Sequence, residues 1–202
     1  MLEITNEDNM ELMARYPDNY FDLAIVDPPY GLPKRSKNGS GKLADRQIQG
    51  MYNKGWDIAP NKEYFEELKR VSKNQIIWGG NYFDLPPNRG FIIWDKKQPW
   101  PNFAACEYAW NSIDGVAKMF AYDNRQDSKQ HPTQKPVKLY EWLLSNYAKE
   151  CDKILDTHLG SGSIAIACHN MKFDLVACEL DKEYYDAAMD RIEQHKKQIQ
   201  LF

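Results

Sequence analysis

The run Phe21-Asp22-Leu23-Ala24-Ile25-Val26 is almost wholly apolar and enters Asp27-Pro28-Pro29. It predicts a buried strand, ended by the prolines because neither can donate to a ladder. Gln75-Ile76-Ile77-Trp78, closed by Gly79-Gly80, predicts a second strand, and Phe91-Ile92-Ile93-Trp94 a third. Ala105 to Asn111 and Val116 to Tyr122 read as a later antiparallel pair. Between the first two strands, Asn61 to Ser72 carries Tyr64, Phe65, Leu68 and Val71 at helical spacing. Pro136 opens another helix, with Leu139, Trp142, Leu143 and Tyr147 on its apolar face. Proline suits the first helical position, whose N–H is unpaired in any case. The C-terminal rhythm is cleaner. Lys153-Ile154-Leu155-Asp156 is a strand and Gly160-Ser161-Gly162 a tight turn. Ser163 to Met171 is a helix, Leu175 to Cys178 a strand, and Lys182 to Gln198 a helix. This β-loop-α-β-α order is the unit of a doubly wound, mostly parallel α/β sheet. We expect one domain over 1–202, interrupted by a long basic loop at 31–60.

Composition narrows the class. At 202 residues the chain fits one domain able to bury about 70% of its unfolded surface. A mean hydropathy of −0.70, and no run near the ~18 apolar residues of a spanning helix, exclude a membrane protein. Met1 to Asp8 lacks the basic and apolar parts of a signal peptide, so a cytoplasmic protein is expected. Cys106, Cys151, Cys168 and Cys178 form no C-x-x-C pair and show no ligand spacing with the histidines. Free thiols and no metal follow.

The net charge of −3 hides an uneven distribution. Lys34, Arg35, Lys37, Lys42 and Arg46 face only Asp45 in their segment; Arg125, Lys129, Lys135 and Lys138 face only Asp127 in theirs. Both segments are rich in turn-forming and polar residues. Local positive potential of this kind suits contacts to a polyanion's phosphates.

Two sites carry candidate chemistry. In the first, the strand ending at Asp156 feeds Gly160-Ser161-Gly162, where missing Cβ atoms let backbone N–H groups and a helix start approach a ligand. Glu179 ends the next strand, at the distance suited to accept hydrogen bonds from ribose hydroxyls. Ala165 stands where a third glycine would complete G-x-G-x-x-G, and there is no Walker lysine. These features point to a nucleoside cofactor without a pyrophosphate. In the second, Asp27-Pro28-Pro29-Tyr30 is a stiff corner at the end of a buried strand. It offers the Asp27 carboxylate and the Pro28 carbonyl as converging acceptors and the Tyr30 ring as a flat apolar face. That chemistry suits an exocyclic amine.

The string Asp27-Pro28-Pro29-Tyr30, then Thr133-Gln134-Lys135-Pro136, then Leu155 to Ser163, resembles the amino-methyltransferases of DNA that use S-adenosylmethionine. The order, catalytic motif first, is that of their permuted β group, and the likeness is to small phage-type adenine-N6 methylases. The resemblance implies a Rossmann-like, mostly parallel seven-stranded sheet and a place in DNA methylation of the restriction-modification kind. It implies that Asp27, Pro28, Pro29 and Tyr30 hold a flipped base. It implies cofactor contacts at Asp8, Asn81, Thr133, Lys135, Asp156, Gly160, Ser161, Gly162 and Glu179. His158 stands where the family has phenylalanine, to stack on the cofactor or hydrogen-bond it. Lys34, Arg35, Lys37, Lys42, Arg46, Arg125 and Lys129 are then the DNA-contacting set, and 113–130 a short target-recognition insert. The implied partners are S-adenosylmethionine and DNA, without metal or membrane; a homo-oligomer is possible but not indicated by the sequence.

The implied reaction is methyl transfer to the N6 amine of adenine. Cytosine-N4 and RNA adenine are the alternative targets. A non-catalytic binder of the cofactor and DNA is the rival from another class, and a nicotinamide oxidoreductase is disfavoured by the missing glycine. The reading requires the tips of two strands distant in the chain to sit side by side.

Overall fold

The computed structural model describes residues 1–32, 58–98, 104–123 and 134–198. Eight strands form one sheet: β1 (Leu2–Thr5), β2 (Phe21–Val26), β3 (Ser72–Trp78), β4 (Ile92–Asp95), β5 (Cys106–Asn111), β6 (Lys118–Ala121), β7 (Lys153–Asp156) and β8 (Asp174–Cys178). Their spatial order is β1-β8-β7-β2-β3-β5-β4-β6. All neighbours are parallel except those of β5, which runs against both β3 and β4.

Among the described residues, five helices cover the sheet: α1 (Asn9–Ala14), α2 (Lys62–Val71), α3 (Val137–Tyr147), α4 (Ser163–Met171) and α5 (Lys182–Lys197). The central strand β2, the middle of β7 and the last residues of β3 are largely apolar because both their faces are buried. Leu23 and Ile25 of β2, Ile76 and Trp78 of β3 and Ile154 of β7 pack with α3, α4 and α5. Their neighbours Ala24, Val26, Ile77 and Leu155 pack on the other face with α1 and α2. This is the doubly wound α/β architecture expected. Cys168 and Cys178 are buried free thiols, whereas Cys106 and Cys151 are exposed.

Three details differ from expectation. The sheet has an eighth strand, β1, whose short Leu2/Ile4 alternation pairs along the outer edge of β8. Second, β5 and β6 are not partners. Both edges of β5 are taken, by β3 and β4, so β6 pairs parallel with the far edge of β4. Third, Pro136 lies one residue outside α3, at its N-cap, with φ −69° and an extended ψ of 145°. Proline's restricted φ fits either place. Of the expected 113–130 insert, Lys118–Ala121 is this edge strand, and 124–130 lie outside the described residues.

Candidate active site

Chain direction decides where a ligand can sit. From β2 the chain proceeds to β3 on one side, and from β7 to β8 on the other, while β2 and β7 are themselves neighbours (Leu23 opposite Ile154, Ala24 opposite Leu155). Such a reversal opens a crevice beyond the carboxyl ends of the two strands. Asp27 follows β2 and Asp156 ends β7, so the two strand tips are adjacent, as required. Burial, with a contribution from the charge on Asp27, pushes the Asp156 carboxyl up to about 8.

Asp27 is held at both oxygens. The Tyr30 hydroxyl donates to Oδ1 at 2.8 Å, and Lys135 Nζ donates to Oδ2 at 2.5 Å. Burial, then the Asp27 carboxylate, raises the Tyr30 phenol far above its ordinary value, so it stays a donor. The Tyr30 ring rests against Gly79. A Cβ built there would meet ring carbon Cε1 at 2.2 Å, and the φ of +68° is itself a glycine conformation. Tyr82 stacks on the Tyr30 ring, centroids 4.9 Å apart and planes 25° apart. Pro28 is buried and Pro29 half-buried.

Lys135 is almost fully enclosed, its side chain 3% exposed. Its ammonium lies 3.0 Å from Glu107 Oε2 and 5.0 Å from the centre of the Trp78 ring. Lys96 closes on the other Glu107 oxygen. Burial opposes the charge on Lys135, but the Asp27 and Glu107 carboxylates outweigh it and hold its pKa above the ordinary lysine value. Burial likewise opposes the charge on Glu107, and Lys135 and Lys96 together hold that carboxyl well below its usual range.

At the β7 tip, Gly160 and Gly162 have φ of +53° and +75°. A Cβ on Gly160 would meet only the His158 carbonyl, at 3.9 Å, so the turn faces open space; at Gly162 it would press on Ile192. The Glu179 carboxylate accepts from Gly160 N (2.9 Å) and Asp181 N (3.0 Å), which fixes its orientation beside the turn. Burial raises its pKa. Asp156 Oδ1 accepts from His158 N at 3.0 Å. An open glycine turn beside a rigidly held, lone-pair-rich carboxylate fits the ribose end of S-adenosylmethionine.

The remaining candidates fall in two groups. Asp8 caps α1, with Oδ1 accepting from Met10 N at 2.8 Å. His158 is half-buried, and burial lowers its pKa to about 4, so the ring is neutral. Its Nε2 accepts from Asn9 Nδ2 (3.2 Å), which leaves Nδ1–H to donate to Thr157 Oγ1 (2.9 Å). Both ring nitrogens are thus engaged within the protein, and its flat face is what it can offer a ligand. Ser161 Oγ lies 3.1 Å from Ser163 Oγ, and Asn81 is exposed on the 3₁₀ turn Gly80–Tyr82. Thr133, Lys34, Arg35, Lys37, Lys42, Arg46, Arg125 and Lys129 lie outside the described residues.

Sequence reading missed Glu107, Lys96 and Tyr82. It weighs strand carboxyl ends, and Glu107 is near the start of a strand. Only because β5 runs backwards does its beginning reach the edge where β2, β3 and β7 end. A groove of about 770 Å³ lined by Met1, His169, Lys172 and His195 opens at the amino ends of the strands, away from this chemistry. Among the described residues no cluster can hold a metal ion, and no helix is long and apolar enough to cross a membrane.

A family model described as DNA methylase, of the N6/N4 type, matches residues 109–190. Type II methyltransferase M2.DpnII of Streptococcus pneumoniae is 23% identical over 94% of this chain and 89% of its own length. The crystal structure of an M1.HpyAVI–SAM complex superposes with a TM-score of 0.64 at 19% identity, covering 95% of this chain and all of that one. PvuII DNA methyltransferase, cytosine-N4-specific, superposes with a TM-score of 0.62 at 16% identity, covering 96% and 90%. With the aspartate-diproline corner set beside the glycine turn, these likenesses support an S-adenosylmethionine-dependent DNA amino-methyltransferase, similar over residues 109–190 to the N6/N4 DNA methylases.

Proposed function

We propose that the chain methylates the exocyclic N6 amine of an adenine extruded from DNA, with Asp27 and the Pro28 carbonyl accepting the two N–H groups and Tyr30 stacking on the base. The observation that carries this reading is the Asp27 carboxylate, held by Tyr30 at a strand tip adjacent to the glycine turn. Asp156, Glu179, Asp8 and the turn Gly160-Ser161-Gly162 hold the cofactor, and the face of His158 lies alongside. When bound, S-adenosylmethionine supplies an electrophilic methyl group on its sulfonium.

The amine's lone pair is delocalised into the purine ring. Hydrogen bonds to Asp27 and Pro28 favour a more tetrahedral nitrogen, whose lone pair points along the line of transfer. Holding reacting atoms near 3–3.5 Å contributes about 7–11 kcal/mol without a covalent enzyme intermediate. Extruding the base costs a few kcal/mol, and stacking on the Tyr30 face that Tyr82 covers in this structure, with the base in the place of Tyr82, offsets about 1–3 kcal/mol of it. The basic residues Lys34 to Arg46, with Arg125 and Lys129, grip the phosphates. An aspartate at the first motif position, where cytosine-N4 relatives more often carry serine, favours adenine. The bacterial cytoplasm, or a phage-infected host's, is the compartment this reading requires.

The test is incubation with labelled S-adenosylmethionine and unmethylated DNA, followed by nucleoside mass analysis. N6-methyladenine is expected, and its loss in Asp27→Ala with cofactor affinity kept within a few-fold. N4-methylcytosine would move the assignment to the other base; cofactor binding without any methylated nucleoside would leave a non-catalytic binder.

A further inference from the structure

Asp27 must accept a substrate N–H, yet in this structure each of its oxygens already holds a donor, Tyr30 on Oδ1 and the Lys135 ammonium on Oδ2. A carboxylate neutralised by a touching cation is a weaker acceptor than a free one. Oδ2 keeps a second lone pair for a substrate N–H, but the touching ammonium weakens it, and Lys135 is too enclosed to turn to water instead. Its other neighbour is Glu107, whose Oε2 lies 3.0 Å from Nζ. That contact is an ion pair without hydrogen-bond alignment, for the buried Oε2 atom has no hydrogen-bond partner among the described residues. An acceptor with spare capacity thus stands beside the ammonium. The opposite oxygen, Oε1, is anchored by Lys96, which fixes the carboxylate in place.

Resting on the amino-methyl transfer proposed above, we infer that Glu107 is a positioning residue that takes the Lys135 ammonium from Asp27 as the substrate amine arrives, freeing Oδ2 for it. Two carboxylates and two ammonium groups make up the cluster, so the shift changes no net charge. Nζ already touches both acceptors, and the movement is a small swing of one side chain. No proton is transferred; the ammonium keeps its three hydrogens and exchanges one acceptor for another. Glu107 touches neither base nor cofactor in this scheme, and acts only through Lys135.

The experiment compares the full chain with Glu107→Gln and Glu107→Asp. Calorimetry gives the affinity and number of S-adenosylmethionine sites, and single-turnover assays on saturating DNA give the transfer rate per site. The unaltered protein must form N6-methyladenine; if it does not, the underlying function fails whatever Glu107 does. Glu107→Gln should keep the cofactor Kd within about threefold and slow transfer per site by about 10- to 100-fold, the loss a misplaced polar group produces. Glu107→Asp, which keeps the charge on a shorter stem, should recover part of that rate. A Gln variant that transfers at the unaltered rate per bound site overturns the inference, leaving Glu107 a structural counter-ion. So does a cofactor Kd raised about tenfold with an unchanged rate, which would make Glu107 a determinant of cofactor binding. Should Glu107→Gln not fold, the Asp variant decides. A rate several-fold lower with unchanged Kd supports the positioning role, and an unaltered rate refutes it.

Discussion

Asp156 is buried at the end of β7 with Asp27 and Glu179 near enough to oppose its ionisation, and burial is the larger reason its carboxyl is pushed up to about 8. An ordinary aspartate in the unfolded chain titrates near ~4. Between those values the native state binds more protons than the unfolded one, so stability falls as pH rises through the window and levels off above it. Asp156→Asn keeps an oxygen for the His158 N–H and removes the titration. Urea unfolding at about pH 5 and about pH 8 should show a smaller loss of stability in the variant than in the unaltered protein. Glu179, raised by burial in the same sense, leaves part of the slope in both. Identical slopes would mean that Asp156 does not stay protonated in the fold.

Element ends explain how the site keeps its shape. The Asp181 side chain caps α5 by accepting from the N–H groups of Glu183 and Tyr184, while the Asp181 backbone N–H holds Glu179. The helix cap and the Glu179 carboxylate are therefore served by different atoms of one residue. Asp181→Ala should cost about 1 kcal/mol of stability, as loss of a cap does, and lower Tm while cofactor affinity persists. Calorimetric melting and binding on the same sample check both halves; a lost affinity would mean that the side chain, not the backbone, orients Glu179. The single reversed strand matters similarly. A glutamate near the start of any parallel strand would lie at the far edge of the sheet; on β5 it lies beside Lys135.

Across the whole molecule the charge is −3, so any attraction to DNA has to be local. Lys34, Arg35 and Lys37 follow the aspartate-diproline corner directly in the chain. Replacing all three with glutamine should flatten the dependence of log Kd on log salt by about 0.9 for each phosphate no longer neutralised. An unchanged slope would remove this segment from the DNA-contacting set. What the amino-acid order determined by itself is what depends on near neighbours. Apolar runs closed by Pro or Gly, and apolar stripes at helical spacing, marked most strands and helices. The string Asp27 to Tyr30 and the turn Gly160 to Gly162 carry their chemistry in a few adjacent residues whose backbone needs are local. Partners brought from other strands were decided only by the fold. The neighbouring tips of β2 and β7 come from the reversal in chain order, and β6 lies outside β4 because both edges of β5 are occupied. The Asp27–Lys135–Glu107–Lys96 cluster joins residues from four segments and was not legible as a unit. Backbone propensity and steric punctuation act over a few residues, whereas charge pairing acts through space and is defined only once the sheet has set strand order and direction.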